Sequence, residues 1–156
     1  MKELYKIILL AYIGEKVVNK MNKEDEKYIK VRDAMNFCWQ WIENHEVESE
    51  RIYEFLDDEE EDDLVFYVIT AKEEKKEYEI ILGVVSYIAF NIIVTNKEPI
   101  PQFLSETDEA YYNSIIEDAI QLGVIDYDGQ NMNRIVQYCS EKENEICFVK
   151  SQIMSL

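Results

Sequence analysis

Seven carboxylates stand in a row in this chain: Asp57, Asp58, Glu59, Glu60, Glu61, Asp62 and Asp63, between the apolar flanks Phe55–Leu56 and Leu64–Val65–Phe66. Clustered carboxylates can hold a hard cation, work in pairs as acid and base, or attract a basic partner. The first needs ligands that converge on one point, and consecutive residues point in different directions and build no cage. The second needs two carboxylates held at a set separation, and nothing in the pattern fixes a pair. The third needs only a dense, outward-facing negative surface. Such density opposes compaction by self-repulsion, so the run is either a solvated loop or a surface that a partner uses.

The other reactive side chains are sparse. His45 is the one histidine, which excludes most imidazole metal sites. Cys38 and His45 lie on one side of a helix but about 10 Å apart along its axis, whereas a nucleophile and its base must sit within about 3 Å. The stretch Asp126–Gly129, "DYDG", resembles part of a calcium loop. With Gly129 at the sixth position, however, Val124 and Ile135 occupy the two end positions, where acidic ligands belong. A turn before a helix explains it better. No glycine-rich phosphate loop and no GxSxG motif is present. The sequence predicts no enzyme, no cofactor and no resident metal.

Charge narrows the class of partner. Residues 1–42 carry eight basic and six acidic side chains, residues 43–63 one and twelve, and residues 64–156 seven and fifteen, for a total of −17. The middle segment alone is −11. This excludes a direct grip on nucleic acid phosphates and an anionic membrane surface, and favours a basic protein partner. Three cysteines without CxxC or metal spacing, Cys38, Cys139 and Cys147, sit among apolar neighbours and fit a reducing cytoplasm. "IILLAYIG" (Ile7–Gly14) follows Glu3 and runs into Glu15–Lys16 without a small-residue cleavage site, so it is expected to be helix rather than a leader. "IILGVVSYIAFNIIVT" (Ile80–Thr95) contains Ser86 and Asn91 and is short for a membrane span.

Helices must position these groups. With four Gly and two Pro the chain is poor in turns, which disfavours an all-β fold. Leu4, Ile7, Ile8 and Ala11 share one helical face, predicting a helix over 3–20. Tyr28, Val31, Met35, Cys38 and Ile42 do the same for 24–43. A short helix over 50–56 follows, with Ser49 as its N-cap, and 64–71 is open between helix and strand. Residues 74–95 predict the longest helix, apolar all round and hence central, with Gly83 suited to a close crossing. "NKEPIPQF" breaks the chain. "SETDEAYYNSIIEDAIQLG" predicts a helix that Ser105 opens and Gly123 ends, and a last stretch runs from about 131 to 154. The expected fold is all-α: one domain over 1–156, an irregular bundle of six or seven helices around the central helix at about 74–95.

On a wheel of the second helix, Trp39 and Trp41 fall in the core arc, while Phe37 falls outside it and is expected to be an exposed aromatic. On the third, Glu50, Glu54 and Asp57 follow at i, i+4 and i+7 with Tyr53 beside them, opposite Ile52, Phe55 and Leu56. This face continues into the acidic run. The candidate partner-binding residues are therefore Phe37, Glu50, Tyr53, Glu54, Asp57, Asp58, Glu59, Glu60, Glu61, Asp62 and Asp63. Tyr53 would act as an anchor among steering charges. The many aromatics, eleven Tyr among them, leave room for a homodimer.

The stretch "AMNFCWQWIENHEVESERIYEFLDDEEEDD" (Ala34–Asp63), then a long apolar helix, then "YYNSIIEDAIQLG", resembles the sixth immunity-protein family of bacterial polymorphic toxin systems. Ala34, Cys38, Trp39, Trp41, Tyr53, Leu56 and Asp57 carry the resemblance. It implies a cytoplasmic, mostly helical protein that binds and neutralises a cognate toxin domain. A nuclease toxin is basic, and an acidic inhibitor can occupy its nucleic-acid site. The alternative is a helical interaction or structural protein whose acidic loop serves only solubility. A magnesium-dependent carboxylate enzyme is the weaker third reading.

Overall fold

A helix with no polar face must be wrapped by other elements. Helix α5 (Lys75–Thr95) is such a helix, and it packs against α1 (Glu3–Lys20), α2 (Lys27–Asn44), α3 (Arg51–Leu56), α4 (Leu64–Thr70) and α6 (Glu109–Gln121). Its length and hydropathy would suffice to cross a membrane, yet 67% of its most apolar window is buried inside the fold. The computed structural model describes residues 1–143 and 148–156. Among the described residues there are eight α-helices, one 3-10 turn (Gln102–Leu104) and no strand. The chain is an all-α bundle, as its periodicity predicts.

The core runs along α1, α2 and α5. Residues Ile7 to Ile13 of α1 are buried on every side, because α2, α5 and α7 (Gln130–Glu141) surround it. Small residues mark the tight crossings. A β-carbon at Gly83 would lie 2.7 Å from Ile115 Cγ1, so α5 and α6 approach as closely as the sequence suggests. A β-carbon at Gly14 would lie 2.8 Å from Met35 Sδ, where α1 meets α2.

Local chemistry sets the helix ends. The segment after the acidic run is helical: Asp63 caps it, its carboxylate accepting from the Phe66 amide at 2.9 Å, and Leu64 and Tyr67 face inward one turn apart. Asp108 caps α6, accepting from the Tyr111 amide at 2.9 Å. Ser105, the expected cap, instead donates to the Gln102 carbonyl at 2.7 Å and closes the 3-10 turn. Ser49 does not cap α3 either; its hydroxyl donates to the Glu98 carboxylate at 2.8 and 2.9 Å. Gly123 (φ +70°) and Gly129 (φ +78°) take the left-handed conformations that end α6 and open α7. Asp126–Gly129 forms the expected turn, with Asp128 accepting from the Gln130 amide at 3.2 Å.

The helix expected over 131–154 is two helices, and this raises the count above the six or seven expected. Helix α7 ends at Glu141 and α8 (Lys150–Met154) begins after an extended Val149. The Tyr138 hydroxyl accepts from the Val149 amide at 3.3 Å and donates to Gln152 at 3.0 Å, docking α8 back on α7. Cys38 and Cys139 are buried thiols, and burial pushes both up, Cys139 to about 11. Cys147 lies outside the described residues.

Glu15 is a buried carboxylate on α1. Both its oxygens accept from Arg32 at 2.6 Å, and Lys150 reaches it at 2.5 Å. Burial alone would raise its pKa, but hydrogen bonds from Lys150 and Arg32 hold it below the ordinary range. This cluster ties α1, α2 and α8 together.

Candidate partner-binding surface

The acidic run divides into carboxylates that build the loop and carboxylates that face outward. Asp63 is only 6% exposed. One of its oxygens caps α4, and the other accepts from the Asp58 amide at 2.8 Å. The two bonds close the loop on itself. Asp58 in turn accepts from the Glu60 amide at 2.9 Å.

Lys30 of α2 supplies the countercharge. Its ammonium lies 3.2 Å from Asp58 and 3.1 Å from Asp62, and it also donates to the Asp62 carbonyl. The Tyr67 hydroxyl donates to the Asp62 carboxylate from α4. The ion pairs show in the acidities. Asp58 is lowered by the Glu60 amide and then by Lys30, and Asp62 by the Tyr67 hydroxyl and then by Lys30. Burial alone would lower Lys30, but its hydrogen bonds to Asp62 and Asp58 outweigh that and hold it raised. Burial first, then the Asp62 carboxylate, pushes Tyr67 up.

Asp57, Glu59, Glu60 and Glu61 are exposed on the outer side of the loop. Glu61 takes a left-handed φ of 57°, which turns the loop sharply at its tip. The loop is therefore an ordered ridge with a structural inner side and an acidic outer side.

Beside the ridge stands the expected face of α3. Ile52, Phe55 and Leu56 are buried, while Glu50, Tyr53 and Glu54 are exposed. The Tyr53 ring, 45% exposed, meets Phe103 of the 3-10 turn edge-on at 5.5 Å and 81°. Phe103 belongs to this surface and escaped the sequence reading; its signal was an aromatic directly after the proline break, where the chain must turn outward. Tyr53, Glu54, Asp57, Glu59 and Glu60 line one shallow concavity at this edge.

Two expected contact residues are corrected. Phe37 is 2% exposed, not an outward aromatic. Helix α3 folds back over that flank of α2, setting Phe55 edge-on to Phe37 at 5.5 Å, with the Arg51 guanidinium over both rings at 5.2 and 5.9 Å. Arg51 also pairs with Asp33 at 2.6 Å, locking α3 to α2. Asp63 is likewise unavailable, because capping and loop closure use both its oxygens. Trp39 and Trp41 are core, as the wheel predicts. His45 closes α2 with its ring edge-on to Trp41 at 5.0 Å.

The family model described as Immunity protein Imm6 matches residues 5–122. The chain belongs to the Imm6 family. Among curated proteins and among solved structures none matches. The Imm6 match spans α1 through α6, so it contains the ridge, the α3 face and Phe103, and it stops just before α7. Membership makes the chain an immunity protein, whose partner is a toxin.

Proposed function

We propose that this Imm6 protein neutralises a cognate polymorphic toxin domain in the cytoplasm by stoichiometric binding rather than chemistry, and that the toxin is a basic nuclease-type domain. The observation that carries the reading is the exposed row Glu50, Glu54, Asp57, Glu59, Glu60 and Glu61 beside the Tyr53–Phe103 pair. A nuclease grips phosphates with Lys and Arg. An ordered ridge holding carboxylates at fixed spacing can occupy the same groups and block substrate. The charges speed the encounter, and the aromatic pair supplies apolar contact once water is displaced. Lys30 and Tyr67 hold Asp58 and Asp62 and so fix the loop from which the outward carboxylates project.

The test is calorimetric titration with the C-terminal domain encoded by the adjacent upstream gene, at low and high salt. Tight binding that weakens steeply with salt is the expected result. Tight but salt-insensitive binding would keep the immunity role and remove the acidic surface from the contact. No binding would overturn the pairing.

A further inference from the structure

The acidic ridge has a second side. Across it from Tyr53, between the start of α2 and α4, lies a groove of about 540 Å³ with Ile29 and Phe66 in its lining. Ile29 is 75% exposed, and Phe66 is 36% exposed with Ile69 also bare one turn further along α4. Large aliphatic and aromatic side chains left bare together mark a contact surface more often than chance.

Charge around this floor is unbalanced. The groove is lined by five carboxylates and two lysines. Both lysines are already engaged: Lys30 on Asp58 and Asp62, and Lys27 over the rings of Tyr67 and Tyr78 at 5.7 and 5.6 Å. Among the described residues, Glu26, Glu60 and Glu61 carry no ion pair and stand exposed on the rim. The result is an apolar floor inside a negative edge. A second copy of this chain would bring the same negative edge against itself, so self-association is disfavoured.

Resting on the immunity reading, we infer that this groove is a second toxin contact, taking a segment with one large apolar side chain flanked by Lys or Arg. The apolar side chain would seat on Ile29 and Phe66, and its basic neighbours would meet Glu26, Glu60 and Glu61. Glu60 lines both the groove and the concavity beside Tyr53, so the toxin would straddle the ridge and touch both sides.

The test is calorimetry of the upstream-encoded toxin domain against the full chain carrying Ile29→Lys, with Phe66→Ser as a second variant. Ile29 is exposed enough that Ile29→Lys should melt like the parent, which circular dichroism checks. The expected result is affinity about thirty-fold weaker or more for Ile29→Lys, largely retained at high salt. Glu60→Gln with Glu61→Gln should weaken binding several-fold at low salt only. If the parent binds tightly and Ile29→Lys and Phe66→Ser bind equally well, the groove inference falls and the immunity reading stands. If the parent does not bind at all, both fall. A dimer of the parent chain that Ile29→Lys dissociates would also overturn the inference, because the groove would then be a self-contact.

Discussion

The Lys30 ammonium stands 3.1 Å from the Asp62 carboxylate and also donates to the carbonyl of the same residue. One cation thus holds both a side chain and the backbone of the most acidic segment. Lys30→Met should lower stability by only about 1 kcal/mol, since partly exposed ion pairs contribute little each. Its main effect should be local. Amide exchange across residues 58–63 should rise, while exchange in α1 and α5 stays at the parent level.

The same contacts set a pH dependence. Asp58 and Asp62 are lowered in the folded chain, so their stabilisation is present above the ordinary carboxylate pKa of about 3.9. It is lost as pH falls through that value towards the lowered ones. Glu15 has the same sign. Chemical denaturation should show nearly constant stability from neutral pH to about 5 and a fall below it. In Lys30→Met that fall should be shallower.

Glu15→Ala tests the cluster that joins α1, α2 and α8. Removing one member of a fully buried pair costs about 3–5 kcal/mol because the other charge is stranded. Arg32 and Lys150 are partly exposed and can turn to water. The expected loss is therefore smaller, about 2–3 kcal/mol. Since Lys150 opens α8, protease sensitivity within α8 should rise as well.

Gly83→Ala sets two effects against each other. Alanine is favoured over glycine in a helix by about 1 kcal/mol. Its β-carbon would meet Ile115 Cγ1 at 2.7 Å, and overpacking of this kind costs about 1–3 kcal/mol. The clash is with the middle of a buried side chain rather than its free end, so it should win. Urea unfolding should show net destabilisation of about 1 kcal/mol, and Ile115→Ala, which removes Cγ1, should cost less in the Gly83→Ala chain than in the parent.

What the sequence made legible was what a single helix encodes. Apolar periodicity located α1, α2, α5 and α6 to within a few residues, and the buried Ile52–Phe55–Leu56 face correctly turned Tyr53 and Glu54 outward. The misses needed knowledge of a neighbour. Phe37 lies off the core arc of α2 taken alone, and only the return of α3 covers it. Ser49 and Ser105 are sound cap types, but their hydroxyls donate to Glu98 and the Gln102 carbonyl instead of accepting from a helix amide. Asp63 reads as one of seven equivalent carboxylates, yet its place at the start of α4 makes it structural. Phe103 could be paired with Tyr53 only by the path of the chain after the prolines.

That division within the acidic run makes the sharpest prediction. Asp57→Asn, Glu59→Gln, Glu60→Gln and Glu61→Gln together remove four exposed charges that do not hold the loop. The melting temperature should stay level or rise slightly, because self-repulsion falls. Association with the toxin domain by stopped flow should slow by about ten-fold or more at low salt and converge with the parent at high salt. Asp63→Ala should do the reverse. It removes one negative charge and so barely alters steering, but it uncaps α4 and strands the Asp58 amide, a loss of about 1–3 kcal/mol. If the quadruple variant and Asp63→Ala affected stability alike, the ridge would not have separate inner and outer sides. If neither slowed association, the charges would play no part in finding the toxin, and Tyr53 with Phe103 would remain as the contact to examine.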